Sequence, residues 1–143
     1  VHQGNGTAKI FEKDPRVVTL NVHGEKNYPL RKEASDLDIA LPDGTEDKRY
    51  LDMLRETLPG LIADVRPELI FFQSGVDVLE SDTLGRLSLT LQGCKKRDEV
   101  VFMETRKRGI PVVFNMGGGY SKKISVIIEA HANTYRTARE IYF

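Results

Sequence analysis

Three short apolar runs along the chain have the length and composition of β-strands. They cover residues 17–22, 69–73 and 110–116. The last two are continuously apolar, which is typical of strands covered on both faces of a parallel sheet. A fourth segment, 37–41, alternates like a strand but lies inside the polar stretch 24–48, and a loop of that length is usually functional or disordered.

Apolar residues recur with a period near 3.6 in the segments that separate or follow these runs. The spacing predicts helices over 47–65, 97–108 and 123–140. Pro59 is expected to bend or restart the first helix, and Gly109 to cap the second. Apolar strands that alternate with helices predict an α/β fold with a parallel sheet and right-handed crossovers.

Composition narrows the class of protein. The 143 residues include 21 Lys+Arg and 21 Asp+Glu, a balance that argues against a nucleic-acid interface or a basic membrane-surface helix. No apolar run approaches the roughly 18 to 20 residues of a bilayer span, and no export signal precedes the first strand. The single Cys94 excludes an internal disulfide framework and suits a reducing compartment. We expect a soluble, cytoplasmic domain with Cys94 as a half-buried structural thiol.

Polar and glycine residues follow each predicted strand, where the ligands of open parallel sheets bind. Asn21 and His23 end the first strand, Asp77 follows the second, and Gly117 to Tyr120 follow the third. The same edge can include residues 1–6 if a strand precedes Val1. One His, one Asp and one Tyr can therefore lie close together at this edge of the sheet.

His2 and Asp77 have the chemistry of half a zinc site, since catalytic zinc takes about three protein ligands. The simpler alternative is that Asp77 caps a turn and His2 has no role. His23 either lines the site or packs in the interior, while His131 is expected to be packed or solvated in the last helix. The charge run 95–99 is interpreted as the solvated start of a helix.

Four motifs in order along the chain carry a family resemblance. They are Val1-His2-Gln3-Gly4-Asn5-Gly6-Thr7, Tyr28-Pro29, Ser74-Gly75-Val76-Asp77 with Gly85-Arg86-Leu87 after it, and Met116-Gly117-Gly118-Gly119-Tyr120. The set resembles the C-terminal half of a zinc-dependent histone deacetylase of the arginase/deacetylase superfamily, and His-Gln-Gly-Asn-Gly resembles its class IV and related bacterial branch.

The resemblance implies a three-layer αβα fold with a mainly parallel sheet. Residues 1–143 would be the C-terminal portion of a single deacetylase domain, truncated at its N-terminus. The chain also begins without Met, and we interpret it as a fragment. A half-sheet exposes apolar strand edges, so the isolated chain is expected to fold poorly and to be inactive.

The resemblance also implies roles for residues at the candidate site. His2 and Asp77 would be metal ligands for Zn²⁺ or another divalent metal such as Fe²⁺, with the remaining Asp ligand directly before Val1. Tyr120 would be catalytic by hydrogen bonding the substrate carbonyl. The family's adjacent histidine pair, its general base, is not found in this sequence.

Further roles concern substrate and structural ions. Tyr28 would form a wall of the acyl-lysine channel, and Gly118 and Gly119 would let the backbone pass close to the substrate. Asn21 and the carbonyl of Val22 would match a structural monovalent-cation site, for example for K⁺.

Asn5 would stand where an acidic partner of one general-base histidine is often found in the family. A neutral Asn there is expected to leave that histidine less basic.

The implied function is removal of acetyl or acyl groups from protein lysine side chains by a metal-activated water. Two alternatives stay open: a deacetylase for acetylpolyamines or other small acylated amines, and a non-catalytic pseudo-deacetylase that acts as a binding module. The expected partners are an acylated lysine peptide or protein, or a small acylated amine, with neither nucleic acid nor membrane. A nuclear location is an alternative if the source is eukaryotic.

Overall fold

The computed structural model describes all 143 residues. It contains four helices and four strands. In chain order these are α1 (Asn5–Phe11), β1 (Leu20–Gly24), β2 (Leu37–Leu41), α2 (Asp47–Val65), β3 (Ile70–Gln73), α3 (Leu91–Arg108), β4 (Val112–Asn115) and α4 (Ile124–Tyr142). None of these helices combines the length and the apolar character needed to cross a bilayer.

The strands form two parallel pairs, which confirms the α/β prediction. β1 pairs with β2, with Leu20 opposite Leu37, and β3 pairs with β4, with Ile70 opposite Val112. Within each pair the carboxyl ends lie at the same edge, which is where ligands of parallel sheets bind.

Helices α2 and α4 pack against α3, which lies between them. Phe102 of α3 is fully buried, and its ring meets three others edge-on: Phe72 of β3, Phe114 of β4 and Tyr142 of α4. Edge-to-face aromatic pairs contribute beyond their buried area. This cluster joins one face of the β3–β4 pair to the helices.

The opposite face of β3 and β4 is open, so the prediction that these strands are covered on both faces is wrong within these residues. Burial alternates along both strands, and the side chains of Phe71 and Val113 are 71% and 41% exposed. Apolar side chains on this face are exposed because no helix of this chain covers them.

Several predicted boundaries also move. β1 begins at Leu20 rather than residue 17, because the amide of Val17 bonds the carbonyl of Asp14 and Thr19 bonds the carboxylate of Asp36. β4 ends at Asn115. The short helix α1 is not predicted, since its sequence is polar and only Ala8 is buried.

Two of the predicted helices are longer or straighter than expected. α2 runs unbroken through Pro59; the carbonyl that proline deprives of a partner belongs to the exposed Arg55, where water can bond it. α3 begins six residues before the predicted start, because the side chain of Thr90 accepts the amide of Gly93 as an N-cap. Gly109 caps its C-terminus with φ of 66°, as predicted.

The early start of α3 overturns two further predictions. The charge run 95–99 lies inside the helix rather than at a solvated start, and its Arg97 and Asp98 are buried. Cys94 is fully buried rather than half-buried, and burial raises the pKa of its thiol.

Candidate active site

His2 and Asp77 face each other at the edge where the strands end. Nδ1 of His2 lies 2.9 Å from Oδ2 of Asp77. The nitrogen of Val1 donates to the other carboxylate oxygen at 2.9 Å, and the carbonyl of Val1 accepts the amide of Gly24 at the end of β1. The segment before α1 therefore bridges the ends of the two strand pairs and brings the two predicted metal ligands together.

The carboxyl group of Asp77 is buried, and burial by itself would raise its pKa. The hydrogen bond with the ring of His2 acts in the opposite direction and lowers the pKa of Asp77. The carboxylate is the form of this group that binds a metal ion.

Asp77 is held against the glycine-rich turn that follows β4. The amide of Val76 donates to the carbonyl of Gly117 at 3.0 Å. Gly118 has φ of 61°, and a Cβ there would lie 2.5 Å from Cγ of Asp77. Only glycine fits this close approach with this backbone conformation, so the two loops pack backbone against carboxylate.

Asp82 fixes the position of Tyr120, and sequence reasoning missed it. One oxygen of the buried carboxylate accepts the amide of Tyr120 at 2.6 Å. The other accepts the amides of Leu84 and Gly85 at 2.9 and 2.7 Å. The available signal was an Asp in a Ser-Asp-Thr-x-Gly turn, a pattern in which Asp bonds the backbone two residues on.

Tyr28 lies on a loop organised by one lysine. Nζ of Lys32 donates to the carbonyls of Glu25, Asn27 and Pro29, each at 3.0 Å. The buried side chain of Asn27 also bonds the backbone of residues 84–86. The loop therefore presents Tyr28, which is 75% exposed, beside the turn that Asp82 caps.

The predicted monovalent-cation residues lie near His2, but their side-chain oxygen is engaged. Oδ1 of Asn21 accepts the amide of Gly4 at 2.9 Å, and its amide nitrogen donates to Ser35. Val22 lies in β1 opposite Ile39. The K⁺ site stays a prediction.

Asn5 begins α1 beside the candidate site. Its Oδ1 accepts the amide of Glu33 at 3.4 Å. Its partnership with a general-base histidine stays a prediction.

The other two histidines make no hydrogen bond to His2 or Asp77. His23 lies inside β1 rather than after it; it is buried, and its Nδ1 is 3.2 Å from the carbonyl of Gly24. His131 lies in α4. No cluster of three or more His, Cys, Asp or Glu side chains could hold a metal ion, so this chain supplies two adjacent ligands of the kind that zinc accepts.

Solved structures share this fold. An acetylpolyamine aminohydrolase from Burkholderia pseudomallei superimposes with a TM-score of 0.81 at 20% identity, over 98% of this chain and 43% of its own. The histone deacetylase Clr3 gives 0.78 at 20% identity, over 99% and 26% respectively. The chain therefore has the α/β fold of the deacetylases and acetylpolyamine aminohydrolases.

Sequence comparison identifies the family. The histone deacetylase domain matches residues 1–135. An uncharacterized protein from Picosynechococcus is 42% identical over 99% of this chain and 47% of its own length, and histone deacetylase 2 of Arabidopsis thaliana is 35% identical over 89% and 34%. The chain belongs to the histone deacetylase family, and it spans between about a third and a half of these relatives.

Proposed function

We propose that the complete protein containing this chain is a zinc-dependent deacetylase that removes acetyl or other acyl groups from lysine side chains. The proposal rests chiefly on one observation: Nδ1 of His2 and Oδ2 of Asp77 converge within 2.9 Å beside a glycine-rich turn that leads to Tyr120. Family membership supports the same reaction.

The residues present fit part of a zinc site. An imidazole nitrogen and a carboxylate oxygen are standard zinc ligands, and Gly118 leaves the carboxylate of Asp77 uncrowded, where a Cβ would clash with it. When bound, zinc would act as a Lewis acid that activates water and polarises the substrate carbonyl. The third ligand is expected from residues outside this chain.

Tyr120 would donate its phenolic hydrogen to the carbonyl oxygen of the substrate as negative charge develops there. Its backbone is fixed by Asp82 and by Thr83, whose hydroxyl donates to the carbonyl of Tyr120 at 2.7 Å. A donor with a fixed backbone needs little reorganisation during the reaction. Tyr28 and Gly119 would border the channel for the acyl-lysine chain.

The proton acceptor for the attacking water is expected from outside this chain. His23 is buried against β2, and His131 lies in α4, so these two histidines do not form the adjacent pair. Asn5 would bond one histidine of the family's pair. We also propose the class IV or bacterial branch, from His-Gln-Gly-Asn-Gly, and a cytoplasmic location, from the free buried Cys94.

The decisive experiment measures metal content and hydrolysis in the complete protein. We expect about one zinc per chain, loss of activity on chelation, and recovery on adding Zn²⁺. His2→Ala and Asp77→Asn are each expected to lose the metal. The control Asp43→Asn removes a surface carboxylate that pairs with Arg86 and should retain it. Full zinc content in both site variants would contradict the proposal.

The substrate class is resolved by assaying an acetyl-lysine peptide and an acetylated polyamine side by side. A higher kcat/KM for the peptide is expected from the proposed function. A higher kcat/KM for the free amine would favour the small-amine alternative, in keeping with the fold shared with the acetylpolyamine aminohydrolase. Absence of both metal and hydrolysis would favour a non-catalytic binding module.

A further inference from the structure

A buried ion pair on α3 lies one layer behind the candidate metal ligand. Arg97 and Asp98 are 4% and 0% exposed, and Nε of Arg97 donates to Oδ1 of Asp98 at 2.9 Å. A buried pair of this kind contributes little net stability, because desolvation of both charges offsets their attraction. Its contacts beyond the pair therefore indicate what it does.

Those contacts reach the loop that carries Asp77. Nη1 of Arg97 donates to the carbonyl of Gly75 at 2.6 Å, two residues before Asp77. The guanidinium also lies over the ring of Phe72 in β3, 5.6 Å from its centroid. Arg97 thus holds β3 and the turn after it at two points.

The partner of Arg97 extends the connection to α4. Oδ2 of Asp98 accepts the hydroxyl of Thr134 at 2.7 Å, and α4 follows the turn that carries Tyr120. The ion pair therefore connects the loop that carries Asp77 to the middle of α4.

The space around Gly75 makes this connection effective. A Cβ on Gly75 would lie 3.1 Å from Oδ1 of Asp77 and 3.1 Å from the carbonyl oxygen of Gly117. Because the backbone of Gly75 packs this closely on the carboxylate, a shift of its peptide would be transmitted directly to the ligand oxygens.

We propose that Arg97 is a positioning residue that sets the orientation of the Asp77 carboxylate for metal binding, an inference that rests on the proposed function. Arginine suits this role because its planar fork bonds a carboxylate and a carbonyl at once, while its charge is neutralised by Asp98. Groups that orient a metal ligand typically contribute about 10- to 100-fold in metal affinity.

The test uses the complete protein and two measurements. Zinc affinity is measured by competition with a chelator, and amide hydrogen exchange over 74–78 is measured in the metal-free protein. The variant R97M/D98L replaces both charges by apolar groups of similar size, so that neither charge is left buried without its partner. We expect zinc binding about 10-fold or more weaker and faster exchange over 74–78.

Two comparison variants separate positioning from stability. T105V removes a buried hydroxyl on the same helix that bonds Tyr142 rather than the Asp77 loop; zinc affinity and exchange should match the wild type. D98N removes the charge that holds the guanidinium but leaves Arg97 able to bond Gly75, so it should lower the melting temperature and weaken zinc binding less than R97M/D98L does.

Wild-type zinc affinity and exchange in a folded R97M/D98L would overturn the inference. If that variant does not fold, R97K serves in its place, since lysine keeps a charge for Asp98 but lacks the fork, and the same weakening is expected. A wild-type protein that binds no zinc would contradict the proposed function instead, while the exchange measurement would still show whether Arg97 holds the loop.

Discussion

Two loops bring a tyrosine to the candidate site, and each is organised by a single charged side chain of opposite sign. In the loop 116–121, the carboxylate of Asp82 accepts the amide of Tyr120. In the loop 25–36, the ammonium of Lys32 donates to three carbonyls around Tyr28. Tyr120 is 50% exposed, and Tyr28 is 75% exposed.

The two charged side chains differ in the sequence range of their contacts. Asp82 is buried and connects its own turn to the loop after β4, 38 residues away. Lys32 is half-buried, and its acceptors all lie within seven residues. Hydrogen bonds to a charged group are the stronger kind, so Asp82 fixes the Tyr120 loop to a distant turn. Lys32 closes only its own loop, which the neutral side chain of Asn27 connects to residues 84–86. The fixed loop suits chemistry, and the local one suits a substrate rim.

Removing each tyrosine hydroxyl should separate the two loops most clearly. Tyr120→Phe is expected to lower kcat about 100-fold or more, because a donor to the developing oxyanion is lost. Tyr28→Phe is the matched control; it keeps the aromatic wall and should change kcat less than about 2-fold. Steady-state kinetics of the complete protein provides the measurement, and equal effects in the two variants would contradict the division of roles.

Asp82→Asn should loosen the fixed loop. The Asn side chain retains one acceptor oxygen, so an amide now bonded by the carboxylate is left without a partner, at about 1–3 kcal/mol of unfolding free energy. We expect kcat to fall about 10-fold as Tyr120 shifts. Urea unfolding and kinetics should be compared with Asp43→Asn, an exposed carboxylate. Unchanged kcat in a destabilised Asp82→Asn would separate Asp82 from the chemistry.

Lys32→Met should loosen only the loop 25–36, the proposed rim of the substrate channel. Three carbonyls of 25–29 lose their donor, and only that of Asn27 belongs to a buried residue, so we expect a loss of about 1 kcal/mol of unfolding free energy. KM should rise a few-fold with kcat unchanged. Lys26→Met, an exposed lysine on the same loop, is the control. A fall in kcat with KM unchanged would place this loop with the chemistry instead.

The smallest expected effect concerns Asp36, in the loop 25–36, and the dependence of unfolding on pH. The amide and hydroxyl of Thr19 donate to Asp36, which lowers the pKa of that carboxyl below its usual 3.8. Because the folded pKa is depressed, this contribution is fully present above pH 3.8 and is lost as pH falls through the folded value. Asp36→Asn should remove that part of the acid response in pH-dependent unfolding, and an identical profile in both proteins would contradict it.

Local sequence patterns determined most of the element types. The 3.6-residue period predicted α2 to the residue, since apolar positions such as Leu51, Leu54 and Leu58 face one core. Glycine at 109 predicted the helix end, because only its backbone adopts positive φ without cost. Motif order likewise identified the family before any geometry was known.

Tertiary structure decided what the patterns could not. Arg97 and Asp98 read as a solvated charge run because burial of charge depends on partners distant in sequence, here Gly75 and Thr134. Asp82 was overlooked for the same reason, since its role depends on the amide of Tyr120. Local sequence encodes propensity and periodicity, whereas the pairing of buried polar groups is decided only when the fold brings distant segments together.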